Sequence, residues 1–419
     1  VEASLSSGAR LPLSKDLRQF LQPILQKAQS ADLPVYLVGG CVRDLVLGKE
    51  PIDVDVVVEG PADTFAKSAA RSYKAKLVSH AQFLTHTLVF PGGRHLDIAT
   101  ARTETYPEPA ALPVVEPASL QDDLYRRDFS INALALSLNS TDFGHLWDPF
   151  GGAEDLRAEQ VRVLHANSFK DDPTRIFRAA RFAGRFGYDL EWRTREWLSE
   201  AVAQQLPGRL SGARLREELI PILLEKDPRP ALHLLCEWGV LSYLVPSLTC
   251  QKSHETLFGP LVKSPGKGDV VLPRLLALLH GVPLSKAVGA LSHMMFPQAL
   301  IGQIEQALEI LTGLRGGGLD LKSIHGRRAM SPEVKKFLEK AISVKAIVPG
   351  AKQAEQWDRL QASSPCLSGE DLRHLGYKPG PQFKRMFNAI REARWEGKLR
   401  TREEEIRFLR HTFPQDGRA

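Results

Sequence analysis

Residues Gly39 to Val58 read GGCVRDLVLGKEPIDVDVVV, and the change of periodicity inside this stretch decides the fold. Just before it, Tyr36 to Gly40 (YLVGG) is a short apolar run closing on two glycines, and Val54 to Glu59 (VDVVVE) is β-branched enough for a strand. Between them CVRDLVLGK has the apolar spacing of a helix and stops at Gly48, a residue type suited to a C-cap. Working outward, Thr85 to Phe90 and His95 to Ala101 predict two more strands, joined by a turn at Pro91-Gly92-Gly93-Arg94. This alternation implies a sheet crossed by helices.

The rest of the chain reads differently. Thr103 to Ser119 holds four prolines in seventeen residues and predicts a mobile loop. From Asn167 onward helical patterns follow one another: Pro173 to Phe186, Thr194 to Gln204, Ala213 to Leu224, Ala231 to Trp238, Leu272 to His280 and Ile301 to Leu314. Gly313 to Gly318 and the region of Pro349-Gly350 read as linkers.

Composition narrows the class. With 419 residues, 43% hydrophobic and 25% charged, the chain is an ordinary globular one with room for several cores. Its longest uncharged stretch, Ala287 to Ile304, contains Ser292, His293, Pro297, Gln298 and Gln303, which argues against a membrane span. The N-terminal residues lack the apolar core of a signal peptide. Cys41, Cys236, Cys250 and Cys366 have no metal-ligand spacing and suggest no disulfide framework, so a cytoplasmic protein is expected. A net charge of +6 permits a polyanionic partner.

Three constellations carry chemistry. Gly39 and Gly40, directly after a strand, allow close backbone approach to a triphosphate at a helix N-terminus, with Arg43 and Asp44 following in the first turn. Asp53 and Asp55 alternate with Val54 on a strand, so both carboxylates face one side and can hold a pair of Mg²⁺ ions for phosphoryl transfer. Asp97 on a neighbouring strand offers a third carboxylate.

The second constellation is DLYRRDFSINALAL, Asp123 to Leu136. Arg126, Arg127 and Asp128 lead into an amphipathic stretch whose Ile131, Ala133, Leu134 and Leu136 are expected to pack on the sheet. Adjacent arginines cannot share one helix face, so one is expected to reach phosphate and the other an ion pair, with Asn132 near a ribose hydroxyl.

The third is DDPTRIFRAARFAGRFGY, where Arg175, Arg178, Arg181 and Arg185 make a basic stripe along one helix. Asp172 and Arg175, at i and i+3, can set an acceptor beside a donor. Cytosine and adenine both show an amino donor next to a ring-nitrogen acceptor, whereas uracil and guanine reverse that polarity. The pair can therefore select CTP and ATP without a template.

Together these motifs resemble a class II tRNA nucleotidyltransferase, of the family that also contains bacterial poly(A) polymerases. GGCVRD with DVD, RRDFSINALA, DPFGG (Asp148 to Gly152), DDPTRIFRAARF, SGARLREELIPIL (Ser211 to Leu223) and LRHLGYKPGPQFKRMF match in order. The resemblance implies an α+β chain: a polymerase-beta-type head with a small mixed sheet (1–160), then all-α neck (161–225), body (226–348) and tail (349–419). It also implies addition of C and A from CTP and ATP to the 3′ end of tRNA, with release of pyrophosphate. Carried over, Gly39, Gly40, Arg43, Asp44, Arg126, Arg127, Asp128, Asn132, Asp172, Arg175, Arg178 and Arg181 bind nucleotide. Asp53 and Asp55 hold metal, and Asp97 joins them in catalysis.

Two departures stand out. Asp171 replaces the Glu of the usual Glu-Asp-x-x-Arg motif, and Leu84 stands where the family often has the glycine of Phe-Gly-Thr. The nearly full-length 103–119 segment argues against a CC-only enzyme, but leaves CCA and A addition open. A poly(A) polymerase is the alternative, and a non-catalytic RNA-binding protein a more distant one. From Asp371 onward, twelve Lys and Arg face seven Asp and Glu, a net +5, which places most of the charge excess in a tail suited to an RNA backbone.

Overall fold

The computed structural model describes residues 9–91, 94–249, 252–263, 270–314, 331–345 and 349–414. These residues divide into two compact units, one up to residue 222 together with 230–243, and one of 223–229 together with those from 244 onward. The expected head and most of the neck fall in the first unit.

A seven-stranded mixed sheet organises that unit. Its strands are β1 (Val35–Val38), β2 (Val54–Val58), β3 (Lys76–His80), β4 (Thr85–Val89), β5 (His95–Thr100), β8 (Ala135–Ser137) and β9 (Leu146–Trp147), in the order β3-β4-β5-β2-β1-β8-β9. β2 and β5 run parallel, and the other neighbours are antiparallel. All four residues of β1 are buried, which is why YLV reads as a continuous apolar run rather than an alternating one. Tyr36 and Val38 share a core cluster with Val57, Leu120, Leu124, Ala133 and Ala135.

Helices α1 (Lys15–Ala31) and α3 (Ala62–Tyr73) pack together, and α3 lies against β3, β4 and β5. In α1, Leu17, Leu21, Ile24 and Ala28 form the buried stripe, and the Ser14 hydroxyl caps the start by accepting from the Leu17 amide at 3.1 Å. Helix α2 (Gly40–Val46) follows β1 directly, and Gly48 just beyond its end has φ +69°. The downstream helices α7 (Thr174–Phe186), α8 (Trp192–Ala203) and α9 (Gly212–Leu224) lie within two residues of their sequence-read ends.

Several expectations change. The segment 103–119 is not a plain loop: β6 (Arg102–Thr105) pairs antiparallel with β7 (Val114–Pro117). The stretch after Arg127 is not a helix either, because α4 (Leu120–Tyr125) ends before it. Ser130–Asn132 forms a single 3₁₀ turn and Leu136 belongs to β8. Ile131, Ala133, Leu134 and Leu136 are nonetheless fully buried, so the apolar residues were in the core by composition and in a strand by context. Cys236 is disulfide-bonded, against the expectation of none. The Gly92-Gly93 turn and the linker residues Arg315 to Gly318 lie outside the described residues.

Leu84 resolves the missing glycine. It closes a 3₁₀ turn at φ 53°, ψ 36°, the left-handed region where glycine is favoured, and its carbonyl accepts from the Thr100 amide at 3.0 Å. The chain adopts the glycine conformation without the glycine.

In the second unit, helices Gly369–His374, Pro381–Trp395 and Arg402–Thr412 enclose a core of Leu372, Tyr377, Met386, Ile390 and Leu409. Glu405, with no exposure, accepts from the amides of Cys366 and Leu367 and from Arg394 at 2.7 Å. Part of the tail's basic excess is thus structural. Among the described residues no helix is long and apolar enough to cross a membrane.

Candidate active site

A cavity of about 520 Å³ in the first unit gathers the motifs. Gly39, Gly40, Arg43, Asp53, Asp55, Arg126, Arg127, Asp128, Asn132, Asp172, Arg175, Arg178 and Arg181 all line it. Asp44 and Asp97 do not. Glu104, Tyr106, Phe182 and Arg185 complete the wall, giving seven arginines against five carboxylates. That excess suits a polyanionic ligand.

The glycine turn works by close approach. Gly39 has φ +69°, and a Cβ there would sit 2.7 Å from Arg127 Nη1. At Gly40, Arg43 Nη2 would lie 3.3 Å from a Cβ. Backbone and guanidinium groups therefore meet at one point only because these side chains are missing.

The arginines are held by an acidic scaffold. Asp123, fully buried, accepts from Arg126 Nη2 at 2.6 Å through Oδ1 and from Arg127 Nη2 at 2.9 Å through Oδ2. Burial alone would push its carboxyl up, but Arg127 and Arg126 hold it below the usual carboxylate range. Both arginines make ion pairs and both face the cavity, so the expected division of labour between them does not occur. Arg127 Nε is buried with no hydrogen-bond partner among the described residues, a donor open to an anion.

Asn132 is a bridge. Its Oδ1 accepts from Arg43 Nη1 at 2.7 Å and its Nδ2 donates to Asp128 Oδ1 at 3.0 Å. Arg43 also donates to Asp44 at 2.9 Å, which is how Asp44 acts on the cavity without lining it. Asp128 accepts from Arg178 Nε at 2.8 Å; burial opposes its ionisation, yet Arg178 and the bond from Asn132 keep its carboxyl low.

Asp55 lies in β2, but Asp53 stands in the bend one residue before the strand begins, so the pair is not carried by the strand alone as expected; both carboxylates still line the cavity. Burial raises Asp55 to about 6, opposed by Arg127 and reinforced by Asp97 and Asp53. A carboxyl disfavoured as a lone anion but backed by a second carboxylate fits a hard divalent cation. Asp97 is the register partner of Asp55 on β5, and Thr87 Oγ1 donates to it at 2.5 Å. It lines a smaller adjoining pocket, of about 320 Å³, that shares Asp55, Arg126 and Arg127. Among the described residues no three acidic, His or Cys side chains converge as a complete metal ligand set.

On α7, Arg175, Arg178, Arg181 and Arg185 all face the cavity, and four guanidinium groups including Arg43 lie 5.0 to 5.8 Å from the Phe182 ring centre. Arg175 is buried, donating to Ser168 Oγ and to the Arg126 carbonyl, each at 2.6 Å. Asp172 accepts from Arg214 Nη2 at 2.7 Å. Asp123 and Arg214 fall inside the quoted stretches Asp123–Leu136 and Ser211–Leu223, but spacing gives neither a role, since both act through other charged groups.

Glycine turn, paired carboxylates on a mixed sheet and an arginine-lined helix define a nucleotidyltransferase head followed by helical domains. Residues 35–162 match the poly A polymerase head domain family, and 187–251 a probable RNA and SrmB-binding site of polymerase A. The chain is 31% identical to the A-adding tRNA nucleotidyltransferase of Halalkalibacterium halodurans, covering 96% of this chain and 94% of that one. It therefore belongs to the tRNA nucleotidyltransferase family, a family of enzymes. It is 35% identical over 90% of its length to the A-adding enzyme of Geobacter sulfurreducens, of which it spans only 45%.

Solved structures agree. The Thermotoga maritima CCA-adding enzyme complexed with tRNA superposes with a TM-score of 0.66 at 29% identity, covering 97% of this chain and all of that one. Complexes of CCA-adding enzyme with CTP and with ATP give 0.68 and 0.69, each at 29% identity over 98% of this chain and all of the other.

Proposed function

We propose that the chain extends the 3′ end of tRNA with C and/or A from CTP and ATP, without a template and with release of pyrophosphate. The observation that carries this reading is one cavity shared by the Gly39-Gly40 turn, the Asp53/Asp55 pair and the Asp172/Arg175 pair. A single cavity that holds all three groups is what one nucleotide with its metal requires. Addition of A is the activity common to the A-adding and CCA-adding proteins, so ATP is a substrate in either case.

Gly39, Gly40, Arg43, Arg126 and Arg127 bind the triphosphate, with Asp44 and Asp128 fixing the arginines. Asn132 stands beside the ribose, Arg178 and Arg181 extend the basic wall, and Asp172 with Arg175 reads the base. Asp53 and Asp55 would hold Mg²⁺, and Asp97 beside Asp55 would add a third carboxylate. Bound there, the metal supplies activation of a hydroxyl nucleophile and charge neutralisation of the leaving pyrophosphate. The basic tail takes the tRNA backbone by charge and shape.

The test supplies transcripts ending in the discriminator base, in C or in CC, with CTP and ATP, and sequences the added ends. Activity on the CC-ended transcript alone identifies an A-adding enzyme; long A tails on unrelated RNA overturn the tRNA assignment. Asp53→Ala should abolish incorporation and leave tRNA binding intact.

A further inference from the structure

Arg214 lies outside the nucleotide-binding motifs, on α9, yet it touches the base-reading pair. Its Nη2 donates to Asp172 Oδ1 at 2.7 Å and its Nη1 to the carbonyl of Ala110 at 2.8 Å. Ala110 belongs to the connection between β6 and β7 and has φ +67°, unusual for a residue with a Cβ. The guanidinium is thus fixed at two points by a planar fork, and its side chain is only 18% exposed.

The bonds to Asp172 are one-sided. Thr174 donates to the same Oδ1 twice, from its amide at 3.1 Å and its hydroxyl at 2.7 Å. With Arg214, three donors converge on Oδ1, and among the described residues none is directed at Oδ2. A carboxylate that is clamped through one oxygen presents the other as its acceptor. For a residue that must accept from the exocyclic amine of cytosine or adenine, that orientation is the specificity.

We infer that Arg214 is a positioning residue for base selection: it holds Asp172 by Oδ1 so that Oδ2 faces the incoming base. The inference rests on the reading of Asp172 given under Proposed function. Arg214 makes no contact with nucleotide in this role.

The experiment measures KM and kcat for ATP, CTP, GTP and UTP on tRNA transcripts for the full chain and for Arg214→Met, Arg214→Lys and Thr174→Val, with melting temperatures alongside. Arg214→Met should raise KM for ATP about tenfold, change kcat less, and relax discrimination against GTP and UTP by a similar factor. Arg214→Lys keeps one cationic donor for Oδ1 and should restore most of the discrimination. Thr174→Val, which removes another donor to the same oxygen, should shift selectivity in the same direction and supports the role even if Arg214→Met does not fold.

Wild-type selectivity in Arg214→Met and in Thr174→Val, with only the melting temperature lowered, overturns the inference and leaves the function standing. A wild-type chain that incorporates all four nucleotides alike overturns both, because Asp172 then reads no base.

Discussion

Arg127 and Asp123 form a buried ion pair, Nη2 to Oδ2 at 2.9 Å, while the other terminal nitrogen of the same guanidinium lies 2.7 Å from where a side chain on Gly39 would begin. One contact supplies the charge and the other the room, and each can be tested alone.

Asp123→Asn removes a fully buried charge, taking away the ion-pair partner of Arg127 and leaving Arg126 to Glu104 alone. Breaking a buried pair in this way costs about 3–5 kcal/mol. Urea unfolding should show a loss of that size; a loss under about 1 kcal/mol would mean that Glu104, which accepts from Arg126 at 2.8 Å, suffices as the scaffold.

Gly39→Ala acts through room. An alanine at φ +69° carries backbone strain of about 1–2 kcal/mol, and its methyl displaces Arg127. A displacement of about 1 Å in a positioning group lowers kcat/KM roughly a hundredfold, so nucleotide incorporation should fall far more than stability does. Equal effects on both would show that the turn is merely structural.

Leu84 tests the left-handed turn. Leu84→Gly and Leu84→Ala remove the same side-chain packing, but only glycine relieves φ 53°. The glycine variant should be more stable than the alanine variant by about 1 kcal/mol in thermal or chemical unfolding. The reverse order would mean that the turn is not strained.

Glu218 on α9 carries a pH signature. Burial raises its carboxyl to about 7, against the pull of Arg178 and Arg181. A folded-state value above the ordinary 4.5 favours the protonated form, so its contribution is complete below about 4.5 and lost as pH rises through about 7. Glu218→Gln should therefore gain stability relative to wild type across that window, on the order of 3 kcal/mol in total. A difference that stays flat with pH would place the carboxyl in water.

Much of the fold is legible because local chemistry agrees with it. β1, β2, β4, β5, α2 and α7 each announce themselves by period and by glycine or proline at their ends. α1 and α3 also have clear apolar stripes but no motif to draw the eye. The DFSINALAL stretch misleads for a physical reason: a short, wholly buried apolar run has no polar face, so period cannot separate helix from strand. In 103–119, prolines suggest a loop, yet the partners of β6 and β7 lie across a connection that spacing does not reveal.

Residue order by itself determined the chemistry: glycines after a strand, carboxylates two apart, arginines at helical spacing. These depend only on backbone periods of two and 3.6. Only the tertiary structure decided what each charge does. Asp123 became a scaffold for two arginines, Asn132 a bridge between Arg43 and Asp128, and Asp97 part of the wall of an adjoining pocket. Arg214 reached Asp172 across forty-two positions of sequence. A charged side chain's role is set by which opposite charges are buried beside it, and burial arises from packing among segments distant in sequence.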